Sequence, residues 1–257
     1  DYFEAHNNLG AAYLAIKNTD AAIQHFQVAL KCHPNDKALK YTLGILMGEQ
    51  SLSIPGEYVE SLFDSYADHY DDHVKNALQY RVPELMLDML RSAGLKSDAN
   101  LDMLDLGCGT GLCGELLYPY ASSLTGVDMS PNMLEMARIK NCYTKLVKAD
   151  FTRFITITKS PYDIITAGDS LVYLSDLNDI FLNIHRLLKP DGWFIFNIEE
   201  NDQSSDYIPL SGRFLHRQSY IESLAVTHHL SIVSKQAVIL RMQDGKQVMG
   251  TVYLLTR

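Results

Sequence analysis

Up to Gly94 the apolar residues recur three and four apart, the period of amphipathic helices; beyond it, short apolar runs alternate with helical stretches. The runs Leu101–Leu106, Leu124–Asp128, Tyr143–Val147, Tyr162–Ala167 and Trp193–Ile198 read as strands. Helices are expected over Tyr80–Ala93, Leu112–Tyr120, from Ser130-Pro131 onward, over Asp176–Leu188 and over 218–229. Such alternation predicts a parallel sheet covered by helices. The end departs from it. Strands over 230–240 and Val248–Leu255 are joined by Gln243-Asp-Gly-Lys246, a turn too short for anything but an antiparallel pair. The fold class is therefore α/β, with seven strands and an antiparallel last strand, preceded by an α-helical segment.

The sharpest break in the pattern is Asp105-Leu-Gly107-Cys-Gly109-Thr-Gly111, between a strand and a helix. A glycine turn there presents backbone N–H groups and a helix N-terminus to a ligand, and lets the backbone approach it closely. Gly109-x-Gly111-x-x-Gly114 formally matches a dinucleotide fingerprint, and an ordinary tight turn could use the same glycines. Asp105 speaks against a pyrophosphate, which it would repel, and for a ligand carrying an ammonium or sulfonium. Asp128 ends the second strand about twenty residues beyond the loop, where a carboxylate can accept both ribose hydroxyls of an adenosine.

Near the start, Leu9, Gly10, Tyr13, Ala22, Phe26, Ala29 and Pro34 fall at the spacings of a tetratricopeptide repeat. Gly10 and Ala22 let two helices approach, Tyr13 and Phe26 fill the space between them, and Pro34 stops the second. His6 stands where that repeat has a larger aromatic. A next unit begins at Leu43-Gly44 and loses the pattern at Gly56 and Glu60; a plain helical hairpin fits the same residues. About three repeats are needed to close a solenoid, so more are expected before Asp1, or the pair packs on the rest of the chain. Ser53-Ile-Pro-Gly56 marks a boundary. The expected division is a helical segment over 1–54, a helical lid or linker over 55–96 and the α/β domain over 97–257. Within the middle piece Tyr58, Leu62, Tyr66 and Tyr70 recur four apart, with Phe63 beside them, on one helix over 57–73. That face is either core or the cover of a ligand site.

With 257 residues the chain has room for one large α/β domain and a small appendage. A net charge of -9 and a pI near 5.4 argue against non-specific nucleic-acid binding. No apolar run has the length of a membrane span. Cys32, Cys108, Cys113 and Cys142 lie in no Cys-x-x-Cys spacing, which suggests reduced thiols of a cytosolic protein rather than zinc or disulfides. The histidines show no metal-ligand spacing either, so no metal is expected.

An acidic residue followed by x-Gly-x-Gly-x-Gly resembles the motif of the Rossmann-like S-adenosylmethionine-dependent methyltransferases, whose seven-stranded sheet also ends in an antiparallel hairpin. Phe63-Asp-x-Tyr-x-x-x-Tyr-Asp and Leu78-x-Tyr-Arg-x-Pro83 look like the segment joining repeats to the catalytic domain in bacterial repeat-containing methyltransferases. Residues 57–257 resemble those proteins as a whole and, more distantly, the malonyl-carrier-protein O-methyltransferases of biotin synthesis. The resemblance implies S-adenosylmethionine as cofactor, held by Tyr66, Tyr70, Arg81, Asp105, Gly107, Cys108, Gly109, Asp128, Met129, Asp150, Phe151 and Gly168. It implies that Asp150 receives the adenine amino group beside Phe151. Arg81 either meets the methionine carboxylate or makes an ordinary ion pair. Gly168–Leu174 would border both cofactor and acceptor, with Asp169, Tyr173, Glu199, Tyr70 and His216 near the reacting atoms. Of these, His216 alone titrates near neutrality unperturbed, and it also suits a solvated loop. The expected function is methyl transfer to a small-molecule or carrier-bound acceptor. The alternative is a non-catalytic cofactor-binding scaffold whose repeats recruit a protein partner.

Overall fold

The computed structural model describes residues 2–49, 54–97, 100–200, 207–208 (backbone), 212–243 and 245–257. Ser53 of the expected boundary and Asp244 of the terminal turn lie outside them.

The chain opens with helices α1 (Tyr2–Ala15), α2 (Thr19–Cys32) and α3 (Lys37–Leu46). Asn18 and Asp36 cap the second and third by accepting backbone N–H groups. Gly10 is needed where α1 crosses α2: a Cβ there would stand 2.5 Å from the Phe26 ring. Ala22, Phe26, Ala29, Leu39 and Leu43 form a small core of their own.

The helix expected over 57–73 is broken. It forms as α4 (Gly56–Asp64), a 3-10 turn (Ala67–His69), a single turn α5 (Tyr70–Asp72) and a π turn (His73–Ala77). Ser65 Oγ donates back to the Leu62 carbonyl, and the acids of this segment are drawn to partners on the α/β domain. Those contacts outweigh the helical period. Helix α6 (Val82–Ser92) follows, with Pro83 in its first turn and Gly94, at φ 106°, just past its end.

The remaining elements are β1 (Leu101–Leu106), α7 (Leu112–Leu117), β2 (Ala121–Asp128), α8 (Pro131–Ile139), β3 (Lys145–Lys148), α9 (Phe151–Ile157) and β4 (Tyr162–Ala167). Then come α10 (Asn178–Leu187), β5 (Leu188–Glu199), the short ribbon β6 (Tyr207–Ile208) and β7 (Arg213–Phe214), α11 (Gln218–Thr227), β8 (Ser231–Gln243) and β9 (Lys246–Thr256). Seven of the strands form one sheet in the order β3-β2-β1-β4-β5-β9-β8. Strands β1 to β5 pair in parallel, and β9 runs antiparallel to both its neighbours. The period of two along β1 decides its packing. Leu104 and Leu106 enter the layer under α10 and α11, while Met103 enters the layer under α6. Strand β3 begins two residues later than expected because Tyr143 turns its ring beneath the glycine loop, against Gly111, Gly114 and Gly126. Helix α7 stops early because Tyr118–Tyr120, with Pro119, tighten into a 3-10 turn.

Helix α4 lies between the N-terminal helices and the sheet domain. On one side Tyr58 meets Tyr41 with ring centroids 4.7 Å apart, and Glu57 pairs with Lys37 at 3.0 Å. On the other, Asp64 accepts the Ser130 hydroxyl and the Asn132 N–H at the start of α8, and Glu60 pairs with Lys148 at 2.8 Å. Ser130 in turn caps α8, with Pro131 as its first residue, as the sequence predicts. No described helix is long and apolar enough to cross a membrane.

Candidate functional site

A cavity of about 860 Å³, counted to its open mouth, lies at the C-terminal ends of β1, β2 and β4 with α4 across it. Crevices at this edge of an open α/β sheet are where such folds bind ligands. Its floor is the glycine loop. Gly107, Gly109 and Gly111 have φ of 66°, 53° and 91°, a region that side chains with a Cβ rarely enter. At Gly107 a Cβ would also stand 2.6 Å from the Cβ of Ser170.

Two carboxylates stand along one wall. Asp128 accepts the Gly109 N–H on Oδ2 at 2.8 Å and the Ser130 N–H on Oδ1 at 2.9 Å, so it ties the glycine loop to the start of α8. Burial pushes its pKa up against the pull of those N–H groups. Asp150 caps α9 through Oδ1, which takes the Thr152 N–H at 2.8 Å and the Thr152 hydroxyl at 2.7 Å. Oδ2 takes no hydrogen bond from a described residue. Phe151, Met129 and Met133 add apolar surface beside them. The described wall carries four acids, Glu60, Asp128, Asp150 and Asp169, and no lysine, arginine or histidine. Glu60 is paired with Lys148 and Asp169 with Arg213, so the net negative field comes from Asp128 and Asp150, and it favours a cationic ligand.

At the other end Phe63, Tyr70, Asp169 and Tyr173 face the cavity. The Phe63 ring meets those of Tyr70 and Tyr173 edge-on, at 6.2 and 5.6 Å. Behind them lies a buried ionic network. Arg213 donates through Nε to Glu199 at 2.8 Å, through Nη1 to the Tyr173 hydroxyl at 3.1 Å and through Nη2 to Asp169 Oδ1 at 2.7 Å. Arg241 holds Glu199 from the other side at 3.0 Å. Asp169 stands at φ 54°, where its N–H donates to Asn197 Oδ1 and its carboxylate accepts the Asn197 amide. Burial raises the Asp169 pKa, but Arg213, Arg241 and the hydrogen bonds outweigh it, and the net shift is downward. Burial raises the hydroxyl pKa of Tyr70 and Tyr173, so both stay protonated at neutral pH.

Of the residues singled out in the sequence, Tyr70, Gly107, Gly109, Asp128, Met129, Asp150, Phe151, Gly168, Asp169 and Tyr173 line this one cavity. Six others stand off its wall. Tyr66 hydrogen-bonds His73, and Arg81 is exposed at the start of α6. Cys108 is buried within the loop, and its thiol pKa is raised well above the ordinary value by burial. His216 is buried and stacked on Tyr220 at 5.9 Å, not solvated. Asp105 is only 1% exposed; it lies beneath the glycine loop, where it accepts the Tyr143 hydroxyl at 2.6 Å and the Thr166 hydroxyl at 2.7 Å. Alternation along β1 points Asp105 into the layer of Met103 rather than toward the cavity. Glu199 is likewise clamped by two guanidinium groups. Sequence reasoning missed Arg213 and Asp64, whose partners lie far along the chain and leave no local signal.

The chain matches the family described as "Methyltransferase domain" over residues 104–196. A methyltransferase-family protein of Geobacillus sp. (strain WCH70) is 30% identical over 196 residues, which is 72% of this chain and 77% of that protein. Malonyl-[acyl-carrier protein] O-methyltransferase of Acetivibrio thermocellus is 30% identical over 138 residues, 52% of this chain. The matched part spans 47% of that relative's length. Among solved structures, an S-adenosylmethionine-dependent methyltransferase from Clostridium acetobutylicum has a TM-score of 0.56 at 21% identity, covering 76% of this chain and 98% of that one. The chain belongs to the methyltransferase family.

Proposed function

We propose that the cavity binds S-adenosylmethionine along the glycine loop and Asp150, and receives a methyl acceptor at the end formed by Phe63, Tyr70, Asp169 and Tyr173. The single observation that carries this reading is a wall whose charged side chains are all acidic, with Asp128 and Asp150 unpaired by any cation among the described residues, which suits a ligand with an ammonium and a sulfonium and would repel a pyrophosphate. When bound, the cofactor supplies an activated methyl group for in-line displacement. The chain's own residues then position and exclude water. Asp128 offers its remaining lone pairs to ribose hydroxyls, Asp150 Oδ2 to the adenine amino group, and Phe151 its ring to the adenine face. Asp105 contributes through the loop it braces, without touching the ligand. The acceptor is a small molecule or a carrier-bound group, the latter supported by the name of the Acetivibrio relative.

The helices of 1–54 read as a tetratricopeptide-like adaptor that recruits a protein partner, supported by the Gly10–Phe26 crossing and the Ala22 and Ala29 contacts. Residues 55–96 serve as a lid, and 97–257 as the cofactor-binding domain. Calorimetry with S-adenosylhomocysteine tests the cofactor site. The reading expects binding to the intact chain and weakening in Asp150→Asn; equal affinity for both would overturn it.

A further inference from the structure

We infer that the acceptor end of the cavity recognises a neutral hydroxyl group on an apolar body, held between Asp169 and Tyr173, with Arg213 as the positioning residue. The inference rests on the reading of the cavity given above. Three observations carry it.

First, the guanidinium of Arg213 fixes what each neighbour can offer. It donates to the Tyr173 oxygen, so the phenolic hydrogen is what Tyr173 turns elsewhere, as a donor. It donates to Oδ1 of Asp169, as does Asn197, and no described residue donates to Oδ2, which remains an acceptor on a residue of the cavity wall. One fork thus holds a donor and an acceptor side by side. Positive φ at Asp169 and its two bonds to the fully buried Asn197 fix that carboxylate further.

Second, charge excludes the alternatives. Asp169 and Glu199 are balanced by Arg213 and Arg241, so the network is neutral as it stands. A free carboxylate would add a second anion beside Asp169, on a described wall without any cationic side chain. A protonated amine has donors only and could not accept from Tyr173. To accept, it would first have to lose a proton it holds at neutral pH. A hydroxyl donates to Asp169 and accepts from Tyr173 with no change of protonation.

Third, the surroundings of the pair are aromatic. Phe63 and Tyr70 stand edge-on around Tyr173, a lining suited to an apolar, ring-bearing body.

The test uses the full chain saturated with S-adenosylhomocysteine and three probes that differ only in the polar group: 4-ethylphenol, 4-ethylbenzoate and 4-ethylbenzylamine. Binding is read by calorimetry, so no turnover is needed. The phenol should bind about tenfold or more tightly than either other probe, the scale of one hydrogen bond to a charged group. Arg213→Lys keeps the charge but cannot reach three partners. It should erase the preference while S-adenosylhomocysteine affinity changes by less than about threefold, since Arg213 is off the cofactor's wall. Should Arg213→Lys not fold, Tyr173→Phe, which removes the phenol donor together with the oxygen that accepts from Arg213, should erase the preference in the same way. A benzoate or benzylamine that binds as well as the phenol, absence of binding by all three, or a preference that survives in the variants overturns the inference. If S-adenosylhomocysteine itself does not bind the parent chain, the cofactor reading falls and takes this one with it; if it binds and the phenol shows no preference, only the hydroxyl assignment falls.

Discussion

Tyr143→Phe separates bracing the glycine loop from touching the ligand. The Tyr143 ring fills the space over Gly111, Gly114 and Gly126, and phenylalanine keeps that packing. What it removes is the hydroxyl that donates to the buried Asp105 carboxylate at 2.6 Å, leaving Thr166 as the remaining side-chain donor. A hydrogen bond to a buried charged group contributes about 1.5–3 kcal/mol. For a chain of this size each kcal/mol moves the melting temperature by roughly 2–4 °C, so the variant should melt about 3–12 °C lower at pH 7. The pH dependence has a definite sign. Burial raises the Asp105 pKa, while Tyr143 and Thr166 pull it down. A carboxyl with a raised folded pKa contributes stability that is fully present below its unfolded pKa and is lost as pH rises through the folded value. Losing the Tyr143 hydroxyl raises the folded pKa further and enlarges that loss. The gap between parent and variant should therefore be widest at neutral pH and shrink as acid protonates Asp105. Calorimetric melts at several pH values, with S-adenosylhomocysteine affinity measured alongside, check it. A gap that stays constant with pH, or widens toward acid, would refute the assignment of Asp105 as the braced charge. A loss of affinity without any loss of stability would place Asp105 at the ligand after all.

Asp150→Asn retains the oxygen that caps α9 and turns the free acceptor oxygen into a donor, so it should weaken adenosine ligands without lowering the melting temperature; calorimetry and a melt decide together. Asp128→Ala should weaken S-adenosylmethionine binding by about 1.5–3 kcal/mol, or roughly 10- to 150-fold, and unchanged affinity in a folded variant would sink the ribose role. Gly107→Ala places a Cβ 2.6 Å from that of Ser170 at a φ of 66° and should abolish cofactor binding; a variant that still binds at parental affinity would show that the loop tolerates another path. Ligand should slow hydrogen exchange in 57–73 beyond any effect in 3–36, and an equal response in both segments would make the aromatic stretch ordinary core.

Hydrophobic period and glycine spacing were enough to place the main strands along the chain, the glycine turn and the antiparallel final hairpin. Each follows from local rules: a period of two for strands, φ above zero for the turn, and a loop too short for a crossover. Most of the wall was legible for the same reason, since Gly107, Gly109, Asp128, Asp150, Phe151 and Gly168 all lie at or just after strand ends, and a parallel sheet brings those ends to one edge. Tertiary structure decided what local rules cannot reach. The helix over 57–73 broke because contacts with Ser130, Asn132, Thr110 and Lys140 outweigh the 3.6-residue period. Asp105 went beneath the loop rather than into the cavity because strand alternation set its face and Tyr143 and Thr166 were there to satisfy it. Arg213 became the residue that fixes Asp169 and Tyr173 only when the chain returned across the end of β5. A buried ion network is set by which distant segments meet, and no spacing along the chain records that.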